Sequence, residues 1–107
     1  MIDQYLFTYG TLAKESVQQK LFNRTLSGTP DELVGYSSSE IKLPRNKVQS
    51  IYPVIEYTGN DKDKVEGVVF KVSLDEILIA DNYEGVFYKR KKVTLKSGQE
   101  SWAYVKS

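Results

Sequence analysis

Apolar and polar residues alternate along much of this chain, in segments rich in aromatic and β-branched side chains. Such segments predict strands at residues 4–9, 33–41, 48–57, 65–72, 87–95 and 100–105. Pro53 indicates that the third strand lies at an edge or contains a bulge. Clusters of turn-forming residues at 27–30 and 97–98 predict turns, and the second is typical of a hairpin.

Two other segments have helical spacing. Residues 13–22 are mostly helix formers, with apolar side chains recurring at helical intervals. A second helix opens at the Ser-x-x-Glu capping box of residues 73–76 and runs to residue 83 or 84. Gly85 is well placed to adopt the left-handed conformation that ends a helix.

The predicted order of elements is β-α-β-β-β-α-β-β, with more strands than helices. It indicates one α+β domain over residues 1–107, because no linker or internal repeat divides the chain. The sheet is expected to be mostly antiparallel, either open or rolled into a barrel.

Composition excludes several kinds of chemistry. The 107 residues include no Cys and no His, which excludes disulfides, thiolate nucleophiles and the zinc sites or catalytic triads that need either residue. Acid–base catalysis near neutral pH must therefore use a carboxylate, a Lys or a Tyr. The absence of Cys fits a reducing compartment, and no apolar run is long enough to span a bilayer, so we expect a cytoplasmic protein.

Charge argues against a nucleic-acid or membrane partner. Fifteen Lys and Arg balance 14 Asp and Glu, which leaves a net charge of +1. The basic run at residues 89–92 falls in a predicted strand, where alternate side chains face opposite ways. We interpret it as a solvated strand, with nucleic-acid binding as a remote alternative.

A first candidate site is the Tyr-Gly-Thr-Leu segment at residues 9–12, where a strand turns towards a helix. Gly10 allows the backbone to approach a ligand closely. The N–H groups that follow are unpaired donors at a helix start, which favours an anion such as a carboxylate. The spacing alone favours the simpler interpretation, in which Gly10 makes a tight turn and Thr11 caps a helix.

A second candidate is Glu84, in the last turn of the second predicted helix. Unpaired carbonyl groups make the potential negative there, and Tyr83, Phe87 and Tyr88 partly exclude water. Both effects are expected to raise the pKa of the carboxyl group, as proton exchange near neutral pH requires. The alternative is a solvated glutamate at a helix end.

Together these segments resemble the γ-glutamylcyclotransferase superfamily, in particular its small bacterial and AIG2-like branch, near the γ-glutamylamine cyclotransferases. The similarity extends over nearly the whole chain. Besides the Asp-x-Tyr-Glu that ends at Glu84, the matching segments are the opening strand and loop at 6–12, Tyr-Pro-Val-Ile at 52–55, Val-x-Gly-x-Val-aromatic at 65–70 and Tyr-x-Arg at 88–90.

The resemblance implies a small, mixed, mostly antiparallel β-barrel with two main flanking helices and a cavity beside a catalytic glutamate. That glutamate corresponds to Glu84. The family's loop amides, which bind an α-carboxylate, and its cavity-wall residues correspond to Tyr9, Gly10, Thr11, Leu12 and Tyr88. Arg90 matches the family motif and is expected to have a structural role.

The reaction implied by the resemblance needs no metal and no cofactor. The α-amino group of a small γ-glutamyl substrate attacks its own γ-carbonyl and releases 5-oxoproline with a free amine or amino acid. Glu84 takes a proton from the α-ammonium group and later delivers one to the leaving amine. The enzyme is expected to act as a monomer or weak homodimer, with neither nucleic acid nor membrane as a partner.

The chain departs from the family pattern near the pocket, and two alternatives stay open. The helix after the loop lacks the family's Gly and Asn, with Glu15 and Gln18 nearby, and Ala80 replaces a larger apolar residue. One alternative is an enzyme for a larger acceptor or a modified protein. The other is a non-catalytic module that binds a small amino-acid-like ligand in the same cavity.

Overall fold

A computed structural model of the protein describes residues 3–45 and 48–107. The helices are α1 (Glu15–Phe22) and α2 (Leu74–Glu84), and a 3-10 turn (Thr11–Ala13) precedes α1. The strands are β1 (Gln4–Thr8), β2 (Gly28–Val34), β3 (Tyr36–Arg45), β4 (Val48–Tyr57), β5 (Lys64–Val72), β6 (Tyr88–Thr94) and β7 (Glu100–Lys106). Neither helix in these described ranges has the length and apolar character needed to cross a membrane.

Five strands form one sheet in the order β2-β5-β1-β7-β6, and β3 pairs with β4 in a separate hairpin. Neighbouring strands are antiparallel except β1 and β7, which are parallel. The α+β class and the mostly antiparallel sheet are therefore confirmed. The expected barrel is not: within the described residues β2 and β6 remain at opposite edges, because the hairpin pairs with itself instead of joining them.

The sheet is covered on both faces, and alternation along β1 shows how. Leu6 points to the face that packs with Ile77 of α2. Phe7 points to the other face, where it packs with Tyr36 and Ile55 of the β3–β4 hairpin. The side chains of Leu6 and Phe7 are both buried, so the strand that leads into residues 9–12 is held from two sides.

A glycine in β5 lets β1 and β5 approach closely. A Cβ atom at Gly67 would lie 2.3 Å from the carbonyl oxygen of Thr8 and 2.7 Å from Cζ of Phe7. The Thr8 backbone and the Phe7 ring cannot both shift enough to accommodate a side chain, so any larger residue at position 67 would displace the end of β1. The Val-x-Gly pattern thus fixes the strand end at which the candidate loop begins.

Two predicted boundaries between the helices are wrong, one because of pairing with a distant strand and the other because of a glycine with positive φ. Residues 28–30, predicted as a turn, belong to β2 because they pair with β5, with Gly28 opposite Phe70. The strand predicted at 33–41 is divided at Gly35, whose φ of 87° interrupts it. Four strands therefore lie between the helices where three were predicted.

The boundaries of α2 are confirmed. The Ser73 hydroxyl accepts the Glu76 N–H while the Glu76 carboxylate accepts the Ser73 N–H, so both halves of the capping box form. The helix ends at Glu84, and Gly85 follows with a φ of 75°. These local signals place Glu84 at the end of α2, where it is partly buried.

Candidate functional site

A cavity lies at the end of β1, between the loop that follows it, the β3–β4 hairpin and the end of α2. The open space between its walls, counted together with the solvent at its mouth, is about 460 Å³. Its lining residues are Phe7, Thr8, Tyr9, Gly10, Thr11, Leu12, Tyr52, Pro53, Tyr83, Glu84, Tyr88 and Tyr104. The walls are therefore largely aromatic, as is usual for a pocket that binds a small molecule.

Every residue that the sequence singled out for the site lies on this one cavity. The loop residues 9–12 form one wall, and Glu84 and Tyr88 lie on another. Glu84 is partly buried, and among the lining residues that the structure describes it carries the only carboxylate. The arrangement brings one acidic group, main-chain donors and several phenols around a space suited to a small molecule.

The loop wall presents backbone N–H groups that its own turn does not use. The first N–H engaged by the 3-10 turn is that of Ala13, which donates to the carbonyl of Gly10 at 3.1 Å. The N–H groups of Thr11 and Leu12 precede it, so the turn leaves both without an internal acceptor. Gly10 itself packs close to the hairpin, since a Cβ atom there would lie 3.3 Å from Cγ of Pro53.

One detail of the sequence-based expectation is wrong. The α-helix begins at Glu15, not at the loop, and only a three-residue 3-10 turn follows Gly10. An anion at residues 10–12 would therefore be held by individual N–H groups, with little contribution from a helix dipole.

Two hydrogen bonds join opposite walls of the cavity. The hydroxyl groups of Thr11, in the loop, and Tyr83, in α2, are 2.8 Å apart. Because Tyr83 directly precedes Glu84, this contact ties the donor loop to the turn that carries the carboxylate. The Tyr88 hydroxyl donates to the carbonyl of Pro53 at 2.8 Å and so ties β6 to the hairpin.

Tyr9 forms the floor of the cavity. Its hydroxyl donates to the carbonyl of Tyr104 in β7 and accepts the N–H of Ile55 in β4. Burial raises the pKa of the Tyr9 phenol well above its usual range, and the nearby Glu84 carboxylate shifts it in the same direction. Tyr9 is therefore a neutral phenol throughout the physiological pH range.

A polar network anchors α2 one turn before Glu84. Oδ1 of Asp81 accepts hydrogen bonds from Nε of Arg90 at 2.8 Å and from the Tyr104 hydroxyl at 2.7 Å. The Arg90 guanidinium lies 4.2 Å from the ring centroid of Trp102. Burial and the bond to Asp81 raise the pKa of the Tyr104 phenol above its usual range. The network gives Arg90 a structural role between α2 and the sheet.

The basic run at residues 89–92 is divided between the two faces of β6, as strand alternation predicts. Lys91 lies over the rings of Tyr36 and Tyr57, at 5.3 and 5.1 Å from their centroids. Lys92 lies over Trp102, at 4.7 Å. Neighbouring charges along the run thus contact different aromatic groups on different surfaces.

The sequence placed Tyr83 beside Glu84 but assigned no role at the site to the rest of the lining. Tyr52, Pro53, Tyr83 and Tyr104 reach the cavity from parts of the chain that are distant from residues 9–12. The available signal was composition: the chain has eight tyrosines, and five of them line this cavity. Within the described residues, no group of three or more acidic side chains is arranged to hold a metal ion.

Fold and cavity together define a small α+β protein with a γ-glutamyl cyclotransferase-like architecture. The chain belongs to the family described as gamma-glutamyl cyclotransferase, AIG2-like, which residues 6–107 match. The resemblance inferred from the motifs is thereby confirmed. A comparison with curated protein sequences gives no match.

Solved structures share the fold. A protein from Arabidopsis thaliana is 25% identical, with a TM-score of 0.75 over 99% of this chain and 63% of its own. A second Arabidopsis thaliana protein is 23% identical, with a TM-score of 0.76 over 99% of this chain and 70% of its own. A structure named gamma-glutamyl cyclotransferase is 18% identical, with a TM-score of 0.73 over 99% and 68%. This chain thus spans 63% to 70% of their length.

Proposed function

We propose that the protein is a γ-glutamyl cyclotransferase-type enzyme that converts a γ-glutamyl compound into 5-oxoproline and a free amine or amino acid. The observation that supports this proposal is that Glu84 and residues 9–12 line the same cavity. Membership of the cyclotransferase family supports it independently. The reaction is proposed to take place in the cytoplasm, without a metal or an organic cofactor.

The N–H groups of residues 10–12 are proposed to bind the α-carboxylate of the substrate. Two of them, those of Thr11 and Leu12, are not used by the 3-10 turn, and an anionic acceptor suits such donors. Tyr9 and Tyr88 would then line the space occupied by the glutamyl chain. The phenol hydroxyls of both are already engaged with backbone carbonyls, which keeps this wall rigid.

Glu84 is proposed to act as the general acid and base. It takes a proton from the α-ammonium group, and the free amine attacks the γ-carbonyl carbon to close a five-membered ring. The ring nitrogen then gives up its second proton, the bond from this carbon to the leaving nitrogen breaks, and the leaving amine receives one proton from Glu84 and the other through solvent. Because the nucleophile belongs to the substrate, the main remaining contribution is to hold the chain in its ring-closing shape, which can lower the barrier by roughly several kcal/mol.

A panel of γ-glutamyl amines and amino acids, assayed for released 5-oxoproline, tests the proposal. We expect turnover by the wild-type protein and a loss of about 100-fold or more in Glu84→Gln, the lower end of the range for removal of a general acid–base group. Glu56→Gln is the matched control, because Glu56 is exposed on the hairpin and does not line the cavity.

Two results would contradict the proposal in different ways. Undiminished activity in folded Glu84→Gln would exclude Glu84 as the acid–base group. Binding of γ-glutamyl compounds by wild-type protein, seen by calorimetry with no release of 5-oxoproline, would instead identify a non-catalytic binding module.

A further inference from the structure

Gln18 is a buried polar residue of α1 that does not line the cavity. Its side chain is 1% exposed, although most glutamines lie at the surface. Its amide is satisfied at both ends: Nε2 donates to the carbonyl of Leu12 at 2.9 Å, and Oε1 accepts the N–H of Leu26 at 2.9 Å. An amide buried in this way specifies the position of the backbone groups that it contacts.

The peptide that Gln18 contacts belongs to the donor loop. The carbonyl of Leu12 accepts from Gln18, and the N–H of the same peptide, that of Ala13, donates to the carbonyl of Gly10. The peptide between Leu12 and Ala13 is therefore held at both of its polar groups. It closes the turn in which the N–H groups of Thr11 and Leu12 lie.

A side chain without an amide could fill the same volume but could not hold this peptide. Removal of the amide leaves the Leu12 carbonyl and the Leu26 N–H without their partner, in a part of the molecule where both residues are buried. The peptide would then be held only by the bond from the Ala13 N–H to Gly10, and the direction of the preceding N–H groups would be less closely fixed.

We propose that Gln18 is a positioning residue that fixes the direction of the Thr11 and Leu12 N–H groups and thereby sets the affinity for the α-carboxylate of the substrate. This inference rests on the proposed function. It assigns to a side chain outside the cavity a share of substrate recognition, and it distinguishes that share from the proton transfers of Glu84.

Steady-state kinetics of Gln18→Met test the proposal, since methionine is similar in length and lacks the amide. We expect KM to rise about 10- to 100-fold, the effect of losing a hydrogen bond to a charged group. kcat should change about threefold or less, because Glu84 is untouched. The rise in KM should shrink for an analogue with an α-carboxamide, whose neutral group gains less from the N–H donors.

The neighbouring glutamine provides a matched control. Gln19 lies on the same helix, is exposed, and donates from Nε2 to the Thr25 hydroxyl at 2.7 Å. We expect Gln19→Met to leave KM unchanged for both substrates. A folded Gln18→Met protein with wild-type KM, or with equal rises for the carboxylate and the carboxamide, would overturn the proposal.

Wild-type protein gives a second readout in case Gln18→Met does not fold. The side-chain NH₂ resonances of Gln18 should shift as glutamate is titrated into the cavity, together with the N–H resonances of Thr11 and Leu12. Loop resonances that shift while those of Gln18 stay fixed would overturn the proposal. An absence of turnover in wild-type protein would instead reject the proposed function, so the two failures are distinguishable.

Discussion

Tyr9 shows at the scale of one residue how the cavity is built from parts that are distant in the sequence. Its hydroxyl contacts the carbonyl of Tyr104 in β7 and the N–H of Ile55 in β4. The bond to Tyr104 requires a phenol, because a phenolate has no proton to donate, whereas either form can accept the Ile55 N–H. Burial disfavours the charged phenolate, and the nearby Glu84 carboxylate does so too, so folding favours the protonated form and raises the pKa of Tyr9.

We expect Tyr9→Phe to lower the free energy of unfolding by about 1–3 kcal/mol at neutral pH, because it leaves the Ile55 N–H and the Tyr104 carbonyl without this partner. Urea denaturation measures the change. Tyr57→Phe is the control, since that side chain is 67% exposed. Equal stability of the two variants would contradict a supporting role for the Tyr9 hydroxyl.

The raised pKa of Tyr9 also predicts how the stability of the wild-type and Tyr9→Phe proteins depends on pH. A group whose folded pKa is raised contributes stability that is complete below its unfolded pKa, for tyrosine 10.0, and is lost as the pH rises above that value. Wild-type stability should therefore fall between about pH 9 and about pH 11, and less steeply in Tyr9→Phe. The slope should not vanish, because Tyr104 also has a raised pKa. Parallel curves for both proteins would contradict the raised pKa of Tyr9.

The residues of the candidate site were predictable where the chemistry lies in a short segment. Gly10 marks a backbone that another group approaches closely, and Glu84 stands at a helix end that its own signals define. The hydroxyl partners were not predictable, because the contact of Thr11 with Tyr83 joins residues that are 72 positions apart. Nothing in the local pattern of either segment specifies the other.

At the scale of secondary structure, α2 determines where the carboxylate lies, and both of its ends are anchored. Near its beginning, Arg24 donates to both carboxylate oxygens of Glu76, at 2.8 and 2.7 Å. Near its end, Asp81 accepts from Arg90 and Tyr104. The helix is thus fixed to the segment after α1 and to the sheet, which leaves Glu84 little freedom to move.

Asp81→Asn tests the second anchor. Asparagine keeps the size of the side chain but removes its charge, so the contact with Arg90 weakens. Since Asp81 and Arg90 side chains are 33% and 24% exposed, solvent screens the pair and we expect a loss of about 1–2 kcal/mol in urea denaturation. Asp75→Asn, on the same helix but exposed, should lower the free energy of unfolding by only about a few tenths of a kcal/mol. Equal losses would contradict an anchoring role for Asp81.

Elements with complete local signals were predicted correctly, and the start of β2, which depends on pairing with a distant strand, was not. The capping box defines the start of α2, and Ser97 with Gly98 marks the turn between β6 and β7. β2 begins in residues with turn propensity, because β5 supplies partners for their backbone groups. Pairing with β5 outweighs the turn propensity of these residues, because otherwise the backbone groups along this edge of β5 would lack partners.

At the scale of the whole molecule, the cavity lies where three layers meet. The sheet carries α2 on one face and the hairpin on the other, and residues 9–12 leave the sheet between them. Whether strands close into a barrel depends on pairing between strands that are distant in the sequence. Alternation within one strand carries no information on that pairing, which is why the sequence could not exclude a barrel.

An NMR titration decides whether Glu84 and residues 9–12 hold the same molecule. A γ-glutamyl amine is added to the Glu84→Gln protein, in which the substrate should bind without turnover. We expect the N–H resonances of Gly10, Thr11, Leu12 and Gly85 to shift together and to saturate with one dissociation constant. Saturable shifts confined to another surface, with these resonances unchanged, would contradict the proposed site.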